Sequence, residues 1–406
     1  MDRNLWQLKS MQAAPLSVKI ALTKDRIREW VNEYGEDGVY VSFSGGKDST
    51  VLLTIVREMY QDIKAVFVDT GLEYPEIREF VKTWDNVEWL RPKLPFKQVI
   101  EKYGYPFISK EVSERVYFAQ RYLTWMKNRN SVDRQTDRQT DRQTDTDRKP
   151  SAYCMADLLG LRSNGRQREG NKITETIPYE ALKEAVDAGE KGVYKLRELL
   201  GLKKKPDGTP SIFNYSKYIW AAGAPFMISN RCCDVMKKAP AHSYITKTGR
   251  NPMLATMATE SKLRRTDWLR NGCNGFNMKR PRSTPMSFWT EQDVLLYIYL
   301  NKIPIASVYG DVVKENEIDG QLDFADLGIF DLGLPMLKTT GCKRTGCMFC
   351  GFGCHLDKPG EGRFERMKVT HPKQYEWIMK PWEEGGLGYK RVIDWLNEHG
   401  DLDIRY

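Results

Sequence analysis

Residues 39–49 read Val39-Tyr40-Val41-Ser42-Phe43-Ser44-Gly45-Gly46-Lys47-Asp48-Ser49, and Thr50, Val51, Leu52, Ile55, Val56 and Met59 follow. The first five residues form an apolar run typical of a buried strand. The spacing of Val51, Leu52, Ile55, Val56 and Met59 puts them on one helical face. Between strand and helix lies a glycine-rich turn. Two glycines allow close backbone approach to an oxyanion. The first-turn N–H groups and the helix dipole favour negative charge at that point. Ser44, Ser49 and Thr50 add hydroxyls, and Lys47 adds a positive charge. The expectation is an anion site at the end of a strand.

The stretch lacks the Gly-x-x-x-x-Gly-Lys-Ser/Thr pattern of the Walker loop. Ser44-Gly45-Gly46-Lys47-Asp48-Ser49 instead resembles the pyrophosphate loop of the ATP-pyrophosphatase (PP-loop) superfamily, Ser-Gly-Gly-x-Asp-Ser. The resemblance implies a protein that holds the pyrophosphate of ATP while the α-phosphate is attacked, or that binds a related sulfonucleotide. The alternative is an ordinary glycine-rich turn that binds nothing.

A second strand is expected at 65–68, ending in Asp69-Thr70-Gly71, then a helix from Pro75. A third strand follows at 87–90 and a helix at 96–103. This alternation argues for an α/β fold with a doubly wound, mostly parallel sheet. Ligands of such sheets sit at the carboxyl ends of strands, where both the Ser44 loop and Asp69 fall.

The chain has 406 residues, 41% hydrophobic and 29% charged, which reads as a globular protein with a large core. No apolar run approaches the ~18 residues of a membrane span. No basic-then-apolar leader opens the sequence, so the expected location is the cytoplasm, without membrane association. A net charge of +9 suits an anionic ligand but does not demand nucleic acid.

Residues 133–148 repeat Asp-Arg-Gln-Thr three times and end Asp-Thr-Asp-Arg. Without apolar residues they read as a disordered insertion. The four-residue repeat is what an iterated GACA tract encodes. We therefore hypothesise expression switching by slippage. Sequencing the gene tests this, and mixed synonymous codons across the tract would rule it out. The expected organisation is a helical segment (1–37), a nucleotide-binding domain (38–310) carrying the insertion (131–150), a cysteine-rich metal-binding segment (311–360) and a helical C-terminal part (361–406).

Four of eight cysteines fall in Cys342-x4-Cys347-x2-Cys350-x3-Cys354, and two more are adjacent at Cys232-Cys233. Such clustering points to metal or redox chemistry rather than a disulfide framework. Zinc suits a closed four-cysteine site, and thiolates also hold iron–sulfur clusters. Cys154 and Cys273 read as buried, inert thiols.

Cys232-Cys233-x-x-x-Lys237-x-x-Pro240 resembles a segment of the PAPS reductase family. So do Asp69-Thr70-Gly71-x-x-Tyr74-Pro75-Glu76, Glu260-Ser261-x-x-Arg264-Arg265, Trp289-Thr290-Glu291-Gln292-Asp293 and Ile303-Pro304 with Tyr309. The resemblance implies the adenine nucleotide alpha-hydrolase-like fold and an adenine nucleotide ligand: ATP, PAPS or APS, with Mg²⁺. Ser42, Ser44, Gly45, Gly46, Lys47, Asp48, Ser49, Asp69, Thr70 and Gly71 would border it. Lys47, Asp48, Arg264 and Arg265 would act on it.

APS reductases of this kind hold a 4Fe–4S cluster, and so do DNA-phosphorothioation ATP pyrophosphatases. This implies a cluster on Cys232, Cys233, Cys347 and Cys350, with Cys342 and Cys354 as further candidates. Reductases also carry a cysteine in a C-terminal Glu-Cys-Gly-Leu-His tail, whereas the last cysteine here is Cys354. The expected activity is therefore α-phosphate activation with pyrophosphate release for sulfur transfer. A sulfur-donor protein and a nucleic-acid acceptor are the candidate partners. The alternatives are a thiol-dependent PAPS or APS reductase and a non-catalytic nucleotide-sensing regulator. Residues 260–282 are strongly basic and suit either a bidentate clamp on phosphate or sulfate or a nucleic-acid backbone, with Trp268 and Phe276 offered for stacking; the alternative is a solvated charged helix face whose aromatics belong to the core.

Overall fold

The computed structural model describes residues 3–133, 179–187, 193–315 and 336–406. Most of the insertion at 131–150, Cys154 and part of the 311–360 segment lie outside them. The chain forms two compact units, each built from two stretches: Met1–Lys93 with Lys237–Cys347, and Leu94–Met236 with Met348–Tyr406. The cysteine-rich segment is divided between the units after Cys347.

The first unit holds a six-stranded sheet. Its strands are β1 (Val39–Ser42), β2 (Ala65–Val68), β3 (Val87–Leu90), β5 (Asn251–Met253), β6 (Asn274–Gly275) and β7 (Arg282–Ser283). Their order is β3-β2-β1-β5-β7-β6. Every pairing is parallel except β6 with β7. The expected α/β architecture is therefore present. Val39, Tyr40 and Val41 are buried on both faces, as a central parallel strand requires. β1 pairs with β2 in the register Val41–Ala65 and with β5 in the register Val41–Met253. The neighbour of β1 on that side thus comes from far along the chain.

Helix α1 (Lys47–Met59) runs from the glycine turn, with Val51, Leu52, Leu53, Ile55 and Val56 buried. Helix α2 (Pro75–Lys82) begins with proline at its first position, where no N–H is needed. Trp289 is fully buried, and its indole N–H donates to Thr23 Oγ1 at 2.9 Å. Lys19, also buried, pairs with Asp293 at 2.7 Å. β8 (Val312–Lys314) and β9 (Leu337–Thr339) form an antiparallel pair in the same unit.

In the second unit β4 (Phe107–Ile108) pairs in parallel with β10 (Gly351–Phe352). Gly351 faces the Phe107 ring so closely that a Cβ would sit 2.4 Å from it. Buried Glu198 receives Arg115 Nε at 2.8 Å and also pairs with Lys203. The expected C-terminal helices form at Arg363–Thr370, Pro372–Met379 and Tyr389–Gly400. Among the described residues no helix is long and apolar enough to cross a membrane.

Candidate nucleotide site

Gly45 has φ +70°, a left-handed conformation that glycine alone adopts without strain. A Cβ there would also lie 2.7 Å from Val81 Cγ2 and 2.8 Å from Ile77 Cγ2 on α2. The turn is therefore glycine for two independent reasons. Its hydroxyls brace it internally. Ser44 N–H donates to Ser49 Oγ at 3.2 Å, and Gly46 N–H donates to Ser44 Oγ at 3.3 Å. Ser49 Oγ and Thr50 Oγ1 donate to the Gly46 carbonyl at 2.9 and 3.1 Å. The serines expected as phosphate donors shape the loop itself. The N–H groups of Asp48 and Ser49, in the first turn of α1, have no intrahelical acceptor and remain for an anion.

Lys47 is almost wholly buried. Its Nζ donates to the Lys343 carbonyl at 3.0 Å and pairs with Glu291 at 3.2 Å. Its backbone N–H donates to Tyr309 Oη at 3.2 Å, and Tyr309 Oη bonds Thr345 Oγ1 at 2.6 Å. Asp48 lies 3.6 Å from Lys47 Nζ. Burial pushes the Asp48 carboxyl up, while Lys47 and Arg344 draw it down.

Arg264 enters from helix α3 (Lys262–Asn271), which Ser261 caps by accepting the Arg264 N–H at 3.2 Å. Its side chain pairs with Glu260. Burial and the nearby Arg344 weaken its hold on the proton, and Asp48 strengthens it. Arg264 and Asp48 therefore share one electrostatic neighbourhood. Arg265 is about 100° further round the helix, and among the described residues no ion pair joins it to the loop. Trp268 and Phe276 are not stacking platforms. Trp268 is buried, and Phe276 packs on Trp30 at 5.2 Å and Tyr34 at 6.3 Å.

Asp69, at the carboxyl end of β2, pairs with Arg78 at 2.9 Å and Arg91 at 3.7 Å, and accepts from Gly71 N–H at 3.3 Å. Thr70 Oγ1 bonds Glu73 at 2.8 Å. Gly71 has φ +72° and open space around its Cβ position. Ser42 ends β1 opposite Val66. The sequence reading missed Tyr309's bond to the loop, as well as Glu291, Lys343, Arg344 and Thr345. The Glu291 and Tyr309 motifs were visible, but nothing in them indicated a contact with Lys47.

Mg²⁺ fits here. Asp48 Oδ1 is a buried oxygen without a hydrogen-bond partner. Lys47, Arg264 and Arg344 face Asp48, Glu291 and Glu260, so the site offers no surplus positive charge. A cation shared between one carboxylate and a nucleotide's phosphates is a common magnesium arrangement.

The six clustered cysteines fall in both units. Cys342 and Cys347 belong to the first unit, and Cys232, Cys233, Cys350 and Cys354 to the second. Cys232, Cys350 and Cys354 all bear on the buried Tyr389 phenol, after burial itself, and push its pKa well up. Yet among the described residues no three His, Cys, Asp or Glu are grouped to hold a metal. Burial pushes the Cys350 thiol up and the Cys354 thiol up to about 12. Cys273 is buried as expected, accepting the Trp268 indole N–H at 3.3 Å.

The chain matches the phosphoadenosine phosphosulfate reductase domain family over residues 38–131 and 182–351. It belongs to that family. The matched region includes the glycine turn, the Asp69 segment, Arg264 and the paired cysteines. An uncharacterised protein of Methanocaldococcus jannaschii is 37% identical, over 17% of this chain and 18% of that protein. A nin-region protein of Escherichia phage lambda is 31% identical, over 17% and 35%. The adenosine 5'-phosphosulfate reductase of Geobacillus kaustophilus is 33% identical, over 17% and 27%. The chain thus spans at most about a third of these relatives' lengths. The crystal structure of a PAPS reductase from Candida auris, in complex with phosphate, aligns over 70% of this chain and 82% of its own. At 11% identity and a TM-score of 0.30, that alignment carries no argument.

Proposed function

We propose that this family member binds an adenine nucleotide, ATP or a sulfonucleotide, at the Ser44–Ser49 turn and activates its α-phosphate for sulfur transfer. The observation that carries the reading is Lys47. It is a buried cation at the start of a helix whose next two N–H groups lack intrahelical acceptors. With ATP, an acceptor atom would form a bond to the α-phosphorus as the bond to the oxygen bridging to the β-phosphate breaks. The electron pair would leave with pyrophosphate, and Lys47 would offset its charge. Asp48 would hold Mg²⁺, which would neutralise the phosphates. Arg264 would take part in binding the anionic end, with Arg265 as a secondary candidate. Asp69, Thr70 and Gly71 would border the nucleoside.

Sulfonucleotide reduction to sulfite is the second reading, favoured by the match to the Geobacillus APS reductase. Burial raises the pKa of Cys273, Cys350 and Cys354, so none of these three thiols is primed as its sulfur nucleophile. A sulfur-donor protein and a nucleic-acid acceptor belong to the first reading as proposals. So does a cluster on Cys232, Cys233, Cys347 and Cys350, which rests on the resemblance to cluster-bearing APS reductases. Iron and sulfide analysis of anaerobically purified protein tests the cluster.

The deciding assay offers ATP, PAPS and APS to the same preparation. Pyrophosphate from ATP supports the first reading. Sulfite from PAPS or APS with a thiol reductant replaces it with the second. Tight binding without either product leaves a nucleotide sensor.

A further inference from the structure

Residues 343–345 form a strap across the start of α1, and each makes a different contribution. Lys343 gives its carbonyl to Lys47 Nζ. Thr345 gives its hydroxyl to Tyr309, which accepts from the Lys47 N–H. The backbone is thus tied on both sides of Arg344, while the Arg344 side chain remains 57% exposed.

That side chain is poorly matched. Its carboxylate partner is Glu260, 4.0 Å away at the outer limit of an ion pair. Glu260 is already engaged, because Oε2 accepts the Met257 N–H at 2.8 Å and pairs with Arg264. Arg344 and Arg264 nevertheless meet at one carboxylate, since both pair with Glu260. Two guanidinium groups held near each other repel, and an oxyanion between them removes the conflict. Arginine's planar set of five donors suits a phosphate or sulfate group, which it can bind through two parallel bonds.

We propose that Arg344 is a specificity-determining residue of the nucleotide site, binding with Arg264 the tetrahedral oxyanion that lies beyond the nucleotide's α-phosphate. This rests on the reading of the Ser44–Ser49 turn as that site. The oxyanion is a phosphate in ATP and a sulfate in PAPS or APS, and the geometry serves both. AMP has neither and does not engage Arg344.

Calorimetric titration of the full chain with ATP plus Mg²⁺, PAPS, APS and AMP tests this, using Arg344→Gln and Arg344→Lys. Arg344→Gln should weaken binding of the ligands with a distal oxyanion by about ten- to a hundredfold, the range of a charge-assisted hydrogen bond. AMP affinity and the melting temperature should be unchanged. Arg344→Lys should recover only part of the loss, because an ammonium keeps the charge but not the fork. The ligand that loses most identifies which oxyanion is read.

Equal losses for AMP and the other ligands would show a structural role and overturn the proposal. Should Arg344→Gln fail to fold, full affinity in Arg344→Lys would also overturn it. If wild-type protein binds a distal-oxyanion ligand, Lys47→Ala does not, and Arg344→Gln binds normally, only the role of Arg344 falls. If wild-type protein binds none of the nucleotides, the reading of the turn fails and this proposal with it.

Discussion

The phenol of Tyr309 caps the helix that begins at Lys47, accepting the Lys47 N–H at 3.2 Å. A side chain more than 250 positions away thus occupies a donor that a phosphate would otherwise use.

Replacing Tyr309 with Phe leaves that buried N–H without its acceptor and the Thr345 hydroxyl without its partner. The ligand-free protein should lose about 1–3 kcal/mol, the cost of an unmade buried hydrogen bond. A lower denaturant midpoint would report it. Saturating ATP should narrow the deficit, because a phosphate oxygen takes over the N–H. A deficit independent of nucleotide would mean that no phosphate reaches this donor.

Two of the positive-φ glycines, Gly45 and Gly71, should respond differently. Gly71→Ala meets open space and should cost only the conformational penalty of about 1–2 kcal/mol. Gly45→Ala adds a collision with Val81 and Ile77, worth about 1–3 kcal/mol more. Parallel denaturation curves check the ordering. Equal costs would show that α2 yields freely and that the turn is less constrained than its geometry indicates.

Lys47→Met keeps most of the stem and removes the charge. Pyrophosphate release should fall about a hundred- to a thousandfold, the usual scale for losing one group that stabilises developing charge. Circular dichroism should show the fold intact. An unchanged rate would make Lys47 a structural residue only.

Burial raises the Asp48 carboxyl in the folded state, so the native protein binds that proton more tightly than the unfolded chain does. Stability contributed by this group therefore falls as pH rises from the ordinary carboxylate value through the raised one. Asp48→Asn should be more stable than wild type at neutral pH, with the advantage shrinking as pH falls through that window. Chemical denaturation across pH 4–8 provides the measurement, on a scale of about one pH unit per step. An advantage constant with pH would place the cause elsewhere.

Local pattern was enough for β1, α1, β2, β3 and the glycine turn, because each is a short run with its own period and punctuation. The helices after residue 362 were legible for the same reason. β5, β6 and β7 were not, since strands of two or three residues carry no measurable alternation. At the site, Lys47, Asp48 and Arg264 could be named from motifs. Tyr309, Lys343 and Thr345 could not be placed on Lys47, because their role exists only once distant stretches meet. Whether Trp268 and Phe276 stack or pack could not be read from the sequence, because an aromatic beside arginines looks the same whether it faces water or the core. The cysteine spacing revealed clustering in sequence but not how the thiols are distributed between the units.

The pairing of β1 with β5 has a consequence during synthesis. The glycine turn and its helix leave the ribosome some two hundred residues before the strand that completes their side of the sheet. Until then Val39, Tyr40 and Val41 present an unpaired apolar edge, the kind of surface that recruits other chains. The nascent polypeptide is thus most vulnerable to aggregation across the very region proposed to grip a ligand, and expression at low temperature or with a chaperone should raise its yield.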